Sequence, residues 1–456
     1  MKKAPIVCED VSPAFPPYPV AVKAGELLFV SGLRPVGPAG FADLPEAGRE
    51  QMQGYPLADL TEERVVADSW AVHDSLEKVL VAAGTHRDQV LRQHIWQRDK
   101  RYFPSYEQVR VHWQPTPAPS SGLGVTDVIG RGRHWIGVDA IAACTQAGGV
   151  FGEREVMTDV YNPDLPAASH YCQAIRSGPF AFFAGHIPIK TAEPGKPLVN
   201  SYDDVPEEGR FLSTGRSHPD SRHGPIASQT WYVFNELRRT LAGHGMDMED
   251  VVNVSIFLSD LRDYSTYHRV HTHFFPEVQP SLCVVGFDEV GHRGTRIEIE
   301  ITAMDRRSGL TRQSFPWPGT APFAAPAVTQ AGPVYYFSGM VGVDEAGALV
   351  RGADSLTEAG RRAVLPMEKI ERRPGLAAQC WMAWEQLRAA AAGADMELAD
   401  ISMTRVYLSD PADLGVYEAV RETFIDEDLP AFECVIVHGP GPVAESLVQI
   451  DAIGMK

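Results

Sequence analysis

Apolar and polar positions along this chain follow a pattern that recurs three times, at a period of about 150 residues. Residues 25–32 (GELLFVSG), 178–185 (GPFAFFAG) and 332–339 (GPVYYFSG) each set a short apolar run between two glycines. Each run predicts a buried strand within an opening pair. In the third copy, VYYFSG and MVGVDEAGALV read as that pair, turning around residues 345–347. A polar loop follows, and then apolar residues at three-and-four spacing over 68–84, 228–245 and 378–393. That spacing predicts a long amphipathic helix ending at glycine. A strand comes next (VLRQHIW, VVNVSIFL, ISMTRVYL), closed by Asp99, Asp260 or Asp410. A second helix and two more strands complete each copy, the last strand being HWIGVDAIA, RIEIEITA or SLVQIDAIG. Alternation in these final strands predicts one buried face.

The resulting order, ββαβαββ, describes an α+β unit with its helices on one face of a sheet. Three such domains divide the chain into 1–144, 169–305 and 323–456, with Gly-, Pro- and Ser-rich linkers at 145–168 and 306–322. The helices leave one face of each sheet uncovered. Packing the three sheets inward around a common axis would hide those faces. The expectation is an intramolecular pseudo-trimer with a central β-barrel, outer helices and pockets built from two neighbouring copies.

Composition narrows the functional classes. The chain is 44% hydrophobic and 22% charged, as expected of a globular protein. No apolar run reaches the ~18 residues of a membrane span, and the N-terminus lacks the apolar stretch of a signal peptide. Six scattered cysteines without a CxxC pair fit reduced thiols in a cytoplasmic protein. The net charge of −18 opposes a nucleic-acid partner. It leaves room for a small anionic substrate in a locally basic pocket. No phosphate or dinucleotide loop is present, so no cofactor is expected. His268 and His271 share a helix face, but no third ligand is evident and the equivalent helices lack the cluster, so no metal is expected. Trp70, Trp231 and Trp381 recur on the long helix and read as packing residues.

These motifs resemble the Rid family (reactive intermediate deaminase, also called YjgF or L-PSP) three times over. The second copy is the closest match, with VVNVSIFLSDLRDYSTYHRVHTHFFPEVQPSLCVVGF and RIEIEITA. The third follows with ISMTRVYLSDPADLGVYEAVRETF, and the first is more divergent. The resemblance implies three chorismate-mutase-like domains, with an active site in each cleft between neighbours. In the enamine/imine deaminase branch, an Arg two residues before a Cys binds the substrate carboxylate. A Tyr closes the cleft, while a Gly and a late-strand acid position substrate and water. Position by position, this implies substrate contacts at Tyr18, Tyr171, Gly32, Gly185, Gly339 and Cys283, and acid/base roles for Asp139, Glu300 and Asp451. The Arg is missing, since Ser120, Ser281 and Phe432 occupy its positions. Ser120 and Ser281 are candidates to hydrogen-bond the substrate instead. The third copy lacks the Tyr as well, so at least one cleft is expected to be degenerate.

A second repeated signal lies in the loop before the long helix: LPEAGR (44–49), VPEEGR (205–210) and LTEAGR (356–361). One reading has Arg49, Arg210 and Arg361 reaching over the clefts to replace the missing cation, with Glu46, Glu207 and Glu358 as bases or ion partners. The other is structural, with the motif pinning its own loop. The expected function is a cofactor-free hydrolase or deaminase acting on a small, anionic enamine/imine-type metabolite in clefts between copies. It would work as a monomeric pseudo-trimer or a homodimer of pseudo-trimers. The alternatives are a chorismatase-like enol-ether hydrolase and a non-catalytic metabolite-binding or scaffold protein.

Overall fold

The computed structural model describes residues 3–37, 40–53, 60–146, 148–158, 172–191 and 193–456. Its three sheets share one strand order. In the first copy this runs Ala21–Ala24, Leu27–Leu33, Ile136–Ala143, Val90–Gln97, Ser120–Gly124, and the same path recurs from Ala174–Ser177 and from Val328–Ala331. Each copy has a parallel pair; in the first it joins Val90–Gln97 to Ser120–Gly124, and the helix Phe103–Trp113 makes the crossover. The long helices are Leu60–Ala82, Ser217–Gly243 and Leu376–Gly393. Among the described residues, no helix is long and apolar enough to cross a membrane.

Two details differ from the sequence expectation. The opening hairpin turns at the first glycine of each repeated motif: Gly25, Gly178 and Gly332 have φ of 57°, 57° and 54°, a region costly for other residues. In the third copy the hairpin is therefore Val328–Ala331 with Val334–Phe337, and Met340–Val341 pairs instead with the closing strand Val448–Met455. The two linkers also carry strands. Arg154–Met157 and Arg312–Phe315 each add an edge to the hairpin that follows them.

The hydrogen-bonded strands form three large open sheets and one two-stranded sheet among the described residues and do not close into one barrel. The sheets nevertheless share a core. Phe29, Phe182 and Tyr336 meet in one buried cluster, and Trp96, Phe257 and Tyr407 in another. Each set draws one residue from each copy. At the edges, the Ser120–Gly124 strand abuts Gly185, its second-copy counterpart abuts Gly339, and its third-copy counterpart abuts Ser31, so the contacts run from first to second, second to third and third to first.

Between the two apolar clusters lies a buried ionic layer. Asp139, Glu300 and Asp451 occupy equivalent positions on the three closing strands. His94 bridges two of them, with Nδ1 3.1 Å from Asp139 and Nε2 3.0 Å from Glu300. Arg405 donates to Asp139 (2.8 Å) and Asp451 (3.3 Å), and Arg92 donates to Glu300 (2.7 Å). Trp96 Nε1 donates to Asp139 (2.9 Å) and Ser121 Oγ to Glu300 (2.5 Å). Three carboxylates thus face two guanidinium groups and one imidazole. Burial opposes charging His94, but Glu300 and Asp139 outweigh both burial and Arg405, and the ring's pKa is raised above 6.5. A protonated His94 completes the charge balance.

The Glu-x-Gly-Arg loops are structural. Gly48, Gly209 and Gly360 lie against the indoles of Trp70, Trp231 and Trp381, where an added Cβ would come within 3.2, 2.7 and 2.7 Å. Arg49 donates to the Leu44 carbonyl, Arg210 to Val205 (2.8 Å) and Arg361 to Asp354 (3.2 Å). Glu46, Glu207 and Glu358 are exposed. The motif and the tryptophan are therefore two halves of one contact: glycine lets the loop sit flat on the ring, and arginine ties the loop's carbonyls.

Gly209→Ala should destabilise the protein by about 1–3 kcal/mol through overpacking on Trp231, while Glu207→Ala should stay within ~0.5 kcal/mol, both read by urea denaturation. A second expectation concerns pH. A histidine whose folded pKa lies above its unfolded value adds stability that is full below pH 6.5 and is lost as pH rises through the folded pKa. His94→Gln should therefore cost about 3 kcal/mol near pH 6, and its deficit relative to the parent should shrink as pH rises. A deficit independent of pH would contradict a charged His94.

Candidate functional site

A cavity of about 650 Å³ opens between the first and second copies. One wall comes from the first copy: Lys100, Phe103, Glu107, Arg110, Ser120 and Gly122. The other comes from the second: Gly185, His186, Tyr232, Glu236, His292 and Glu298. The crevice forms where the Ser120–Gly124 strand meets the end of the Phe180–Phe183 strand, with the Gly185 N–H donating to the Ser120 carbonyl at 3.3 Å.

Glu298, on the closing strand Ile297–Met304, is buried at the cavity wall. Its carboxyl makes no hydrogen bond among the described residues and lies flat against Gly185, where an added Cβ would fall 1.9 Å from Oε1. Burial pushes its pKa up to about 7, against the pull of Lys100 and with help from Glu300. Across the cavity, buried Arg110 donates to Ser120 Oγ (2.7 Å) and to Glu107 (2.8 Å). Lys100 reaches the Gly122 carbonyl, and burial lowers its pKa despite Glu298, Glu289 and Glu107. The chamber holds a carboxyl balanced near neutrality, two cations and the aromatic rings of Phe103 and Tyr232. It can position an anion and move a proton. Among the described residues, no three His, Cys, Asp or Glu side chains converge as a metal site.

The two equivalent crevices carry different side chains. Between the second and third copies, Gln449 stands where Glu298 stands in the first crevice. Its amide packs against Gly339, with Oε1 2.5 Å from an added Cβ, and donates to the Val284 carbonyl (3.1 Å) and Cys283 Sγ (3.3 Å). Between the third and first copies, Gly137 holds that position and the Arg34 guanidinium takes its side-chain space. Arg34 pairs bidentately with Glu433, which packs on Gly32. The Tyr18 ring stacks on Phe432 at 3.9 Å and its hydroxyl donates to Glu418 (2.8 Å).

Of the residues singled out from sequence, Ser120 and Gly185 line the cavity. Gly32, Gly339 and Tyr18 sit in the other two crevices, and Tyr171 lies outside the described residues. Cys283 is buried beneath Gln449, and burial raises its thiol pKa. Ser281 is buried one residue before the cleft position, which Leu282 occupies, and its hydroxyl donates to the Val252 carbonyl (3.1 Å). The assignment of Asp139, Glu300 and Asp451 to the clefts is corrected: their strand face turns them into the ionic layer at the shared core. Arg49, Arg210 and Arg361, with Glu46, Glu207 and Glu358, belong to the tryptophan-packed loops and do not line this cavity. His271, from the histidine cluster, is engaged at both ring nitrogens by Tyr267 (2.8 Å) and Gln279 (2.9 Å). Glu298, Lys100 and Arg110 went unrecognised in the sequence. Glu298 had a visible signal as the first acid of IEIE, two residues before the one chosen.

The family profile described as Endoribonuclease L-PSP matches residues 162–305. A RutC family protein of Pyrococcus abyssi is 30% identical over 134 residues, covering 29% of this chain and 84% of that protein. Reactive Intermediate Deaminase A of Arabidopsis thaliana is 26% identical over 129 residues, covering 28% of this chain and 54% of that protein. A crystal structure of a chorismatase aligns over 80% of this chain and 93% of its own, at 12% identity and a TM-score of 0.48. By its 30% identity to the RutC family protein over 84% of that protein's length, the chain belongs to the Endoribonuclease L-PSP family, also known as the Rid or YjgF family.

Proposed function

We propose that this chain is a cofactor-free hydrolase of the deaminase type, acting on a small anionic imine or enamine in the crevice between its first and second copies. The three copies take the places of three subunits, a pseudo-trimer in one polypeptide, and a single crevice does the chemistry. The observation that carries this reading is Glu298, a buried carboxyl with no internal hydrogen bond, facing the cavity that two copies build together.

Glu298 ionises near pH 7, so both of its forms are available. As carboxylate it takes a proton from the water that attacks the C=N carbon, and as acid it returns that proton to the departing nitrogen. Arg110, held by Ser120 and Glu107, offers a guanidinium to the substrate's carboxylate. Gly185 leaves the room that the Glu298 carboxyl occupies. The wall residues Phe103, Tyr232 and Ile187 enclose the reacting carbon, which strengthens these electrostatic contacts by excluding water.

The test uses 2-iminobutyrate generated in situ, with semicarbazide as the competing trap. The parent protein should accelerate imine loss, and Glu298→Gln should lower kcat/KM by about 10²- to 10⁴-fold. Because the attacking step needs the carboxylate, kcat/KM should fall as pH drops below about 7. A Glu298→Gln enzyme as active as the parent would refute this assignment. Turnover of chorismate with no imine hydrolysis would favour an enol-ether hydrolase in the same cavity.

A further inference from the structure

Lys100 is unexplained by the fold. It opens the turn Lys100–Tyr102, which Asp99 caps by accepting from the Arg101 N–H. The equivalent turns begin with Leu261 and Pro411 under the same aspartate cap, so the turn itself does not require a lysine. The placement of this one is specific. Its backbone N–H donates to Glu289 of the second copy at 2.8 Å, which fixes the turn across the crevice. Its stem lies against the Phe103 ring, with Nζ 5.6 Å from the centroid. Its amine ends at the Gly122 carbonyl, on the cavity floor beside Ser120. The ionisable groups acting on it are Glu298, Glu289 and Glu107, with His292 on the facing wall.

Burial disfavours the charged amine and the charged Glu298 carboxyl alike, while their mutual attraction favours both charges. An amine held at the cavity wall and a buried carboxyl able to carry a proton across from it are the two components that imine formation from a carbonyl carbon requires.

We propose that Lys100 is a nucleophile that forms a covalent imine with the substrate's carbonyl-level carbon. The proposal rests on reading this cavity as the imine-hydrolysing site. The neutral Nζ attacks the C=N carbon of the substrate iminium, forming a C–Nζ bond as the C=N π pair moves onto the original nitrogen. A proton passes from Nζ to that nitrogen through the Glu298 carboxyl. The original C–N bond breaks, ammonia leaves, and a C=Nζ iminium to Lys100 remains. Water adds to this carbon, giving up a proton to Glu298. Transfer of that proton to Nζ lets the carbinolamine collapse to the ketone and free amine, its hydroxyl proton passing to Glu298 and on to the ammonia. The net change is iminium plus water to ketone plus ammonium, with no oxidant or reductant. In reverse, the free enzyme forms the same adduct with a 2-oxo acid.

This reverse adduct is the test. The full-length protein is incubated with 2-oxobutyrate and sodium borohydride, and the reduced adduct is mapped by peptide mass spectrometry. One adduct per chain is expected at Lys100, forming about tenfold or more faster than at other lysines. Lys100→Arg keeps the charge and should abolish that adduct while leaving thermal unfolding unchanged. Glu298→Gln should slow its formation. Absence of a Lys100 adduct, or labelling spread evenly over the lysines, overturns the proposal. If Lys100→Arg hydrolyses imine at the parent rate, the covalent route is wrong while the hydrolase reading stands. A Lys100 adduct in a protein that hydrolyses no imine would support the nucleophile and sink the hydrolase reading.

Discussion

Three equivalent acids turned toward one shared core set the constraint under which this molecule is built. Asp139, Glu300 and Asp451 come together because each closing strand presents the same face inward. Three buried carboxylates without cations would be prohibitive. Arg92, Arg405 and His94 resolve the problem, and they do so unevenly: the first copy contributes the histidine and one arginine, the third contributes the other arginine, and the second has Ser255 where its neighbours have His94 and Arg405. Each cation reaches an acid of another copy. The ionic layer therefore ties the copies together, and it requires them to differ.

That freedom to differ extends to the crevices. In an assembly of identical chains every junction carries the same residues. Here three junctions of one geometry carry three chemistries. The glycine at each junction always has a polar side chain laid against it: the Glu298 carboxyl at Gly185, the Gln449 amide at Gly339, and Glu433, clasped by Arg34, at Gly32. The Gln449 amide donates to Val284 and Cys283, and Glu433 pairs with Arg34. The Glu298 carboxyl makes no hydrogen bond among the described residues and faces a cavity. The remaining crevice holds the buried Glu298 carboxyl, its pKa pushed up to about 7, beside Lys100.

The same asymmetry explains what could be read from the sequence. The period, the element order and the long helices followed from apolar patterning, because every copy must cover the same sheet. Tryptophan packing was also legible, although its link to the Glu-x-Gly-Arg loop needed coordinates, since loop and helix are distant in sequence. The site was harder to find because repetition was the guide. Residues recurring in all three copies, such as the late acids and the loop arginines, serve what the copies have in common, which is holding together. Glu298 is matched by Gly137 and Gln449, and Lys100 by Leu261 and Pro411, so neither recurs. The one-residue shift that put Ser281 in place of Leu282 has a similar origin: the cysteines Cys283 and Cys434 align in sequence, but the strands pair with a different register.

The central claim is that one junction of three is a working site. Titration calorimetry of the full-length protein with 2-oxobutyrate measures this directly as a stoichiometry. The account predicts one molecule bound per chain, with binding lost in Gly185→Ala, where the new methyl meets the Glu298 carboxyl. Three molecules per chain, or one molecule whose binding survives Gly185→Ala, would contradict it.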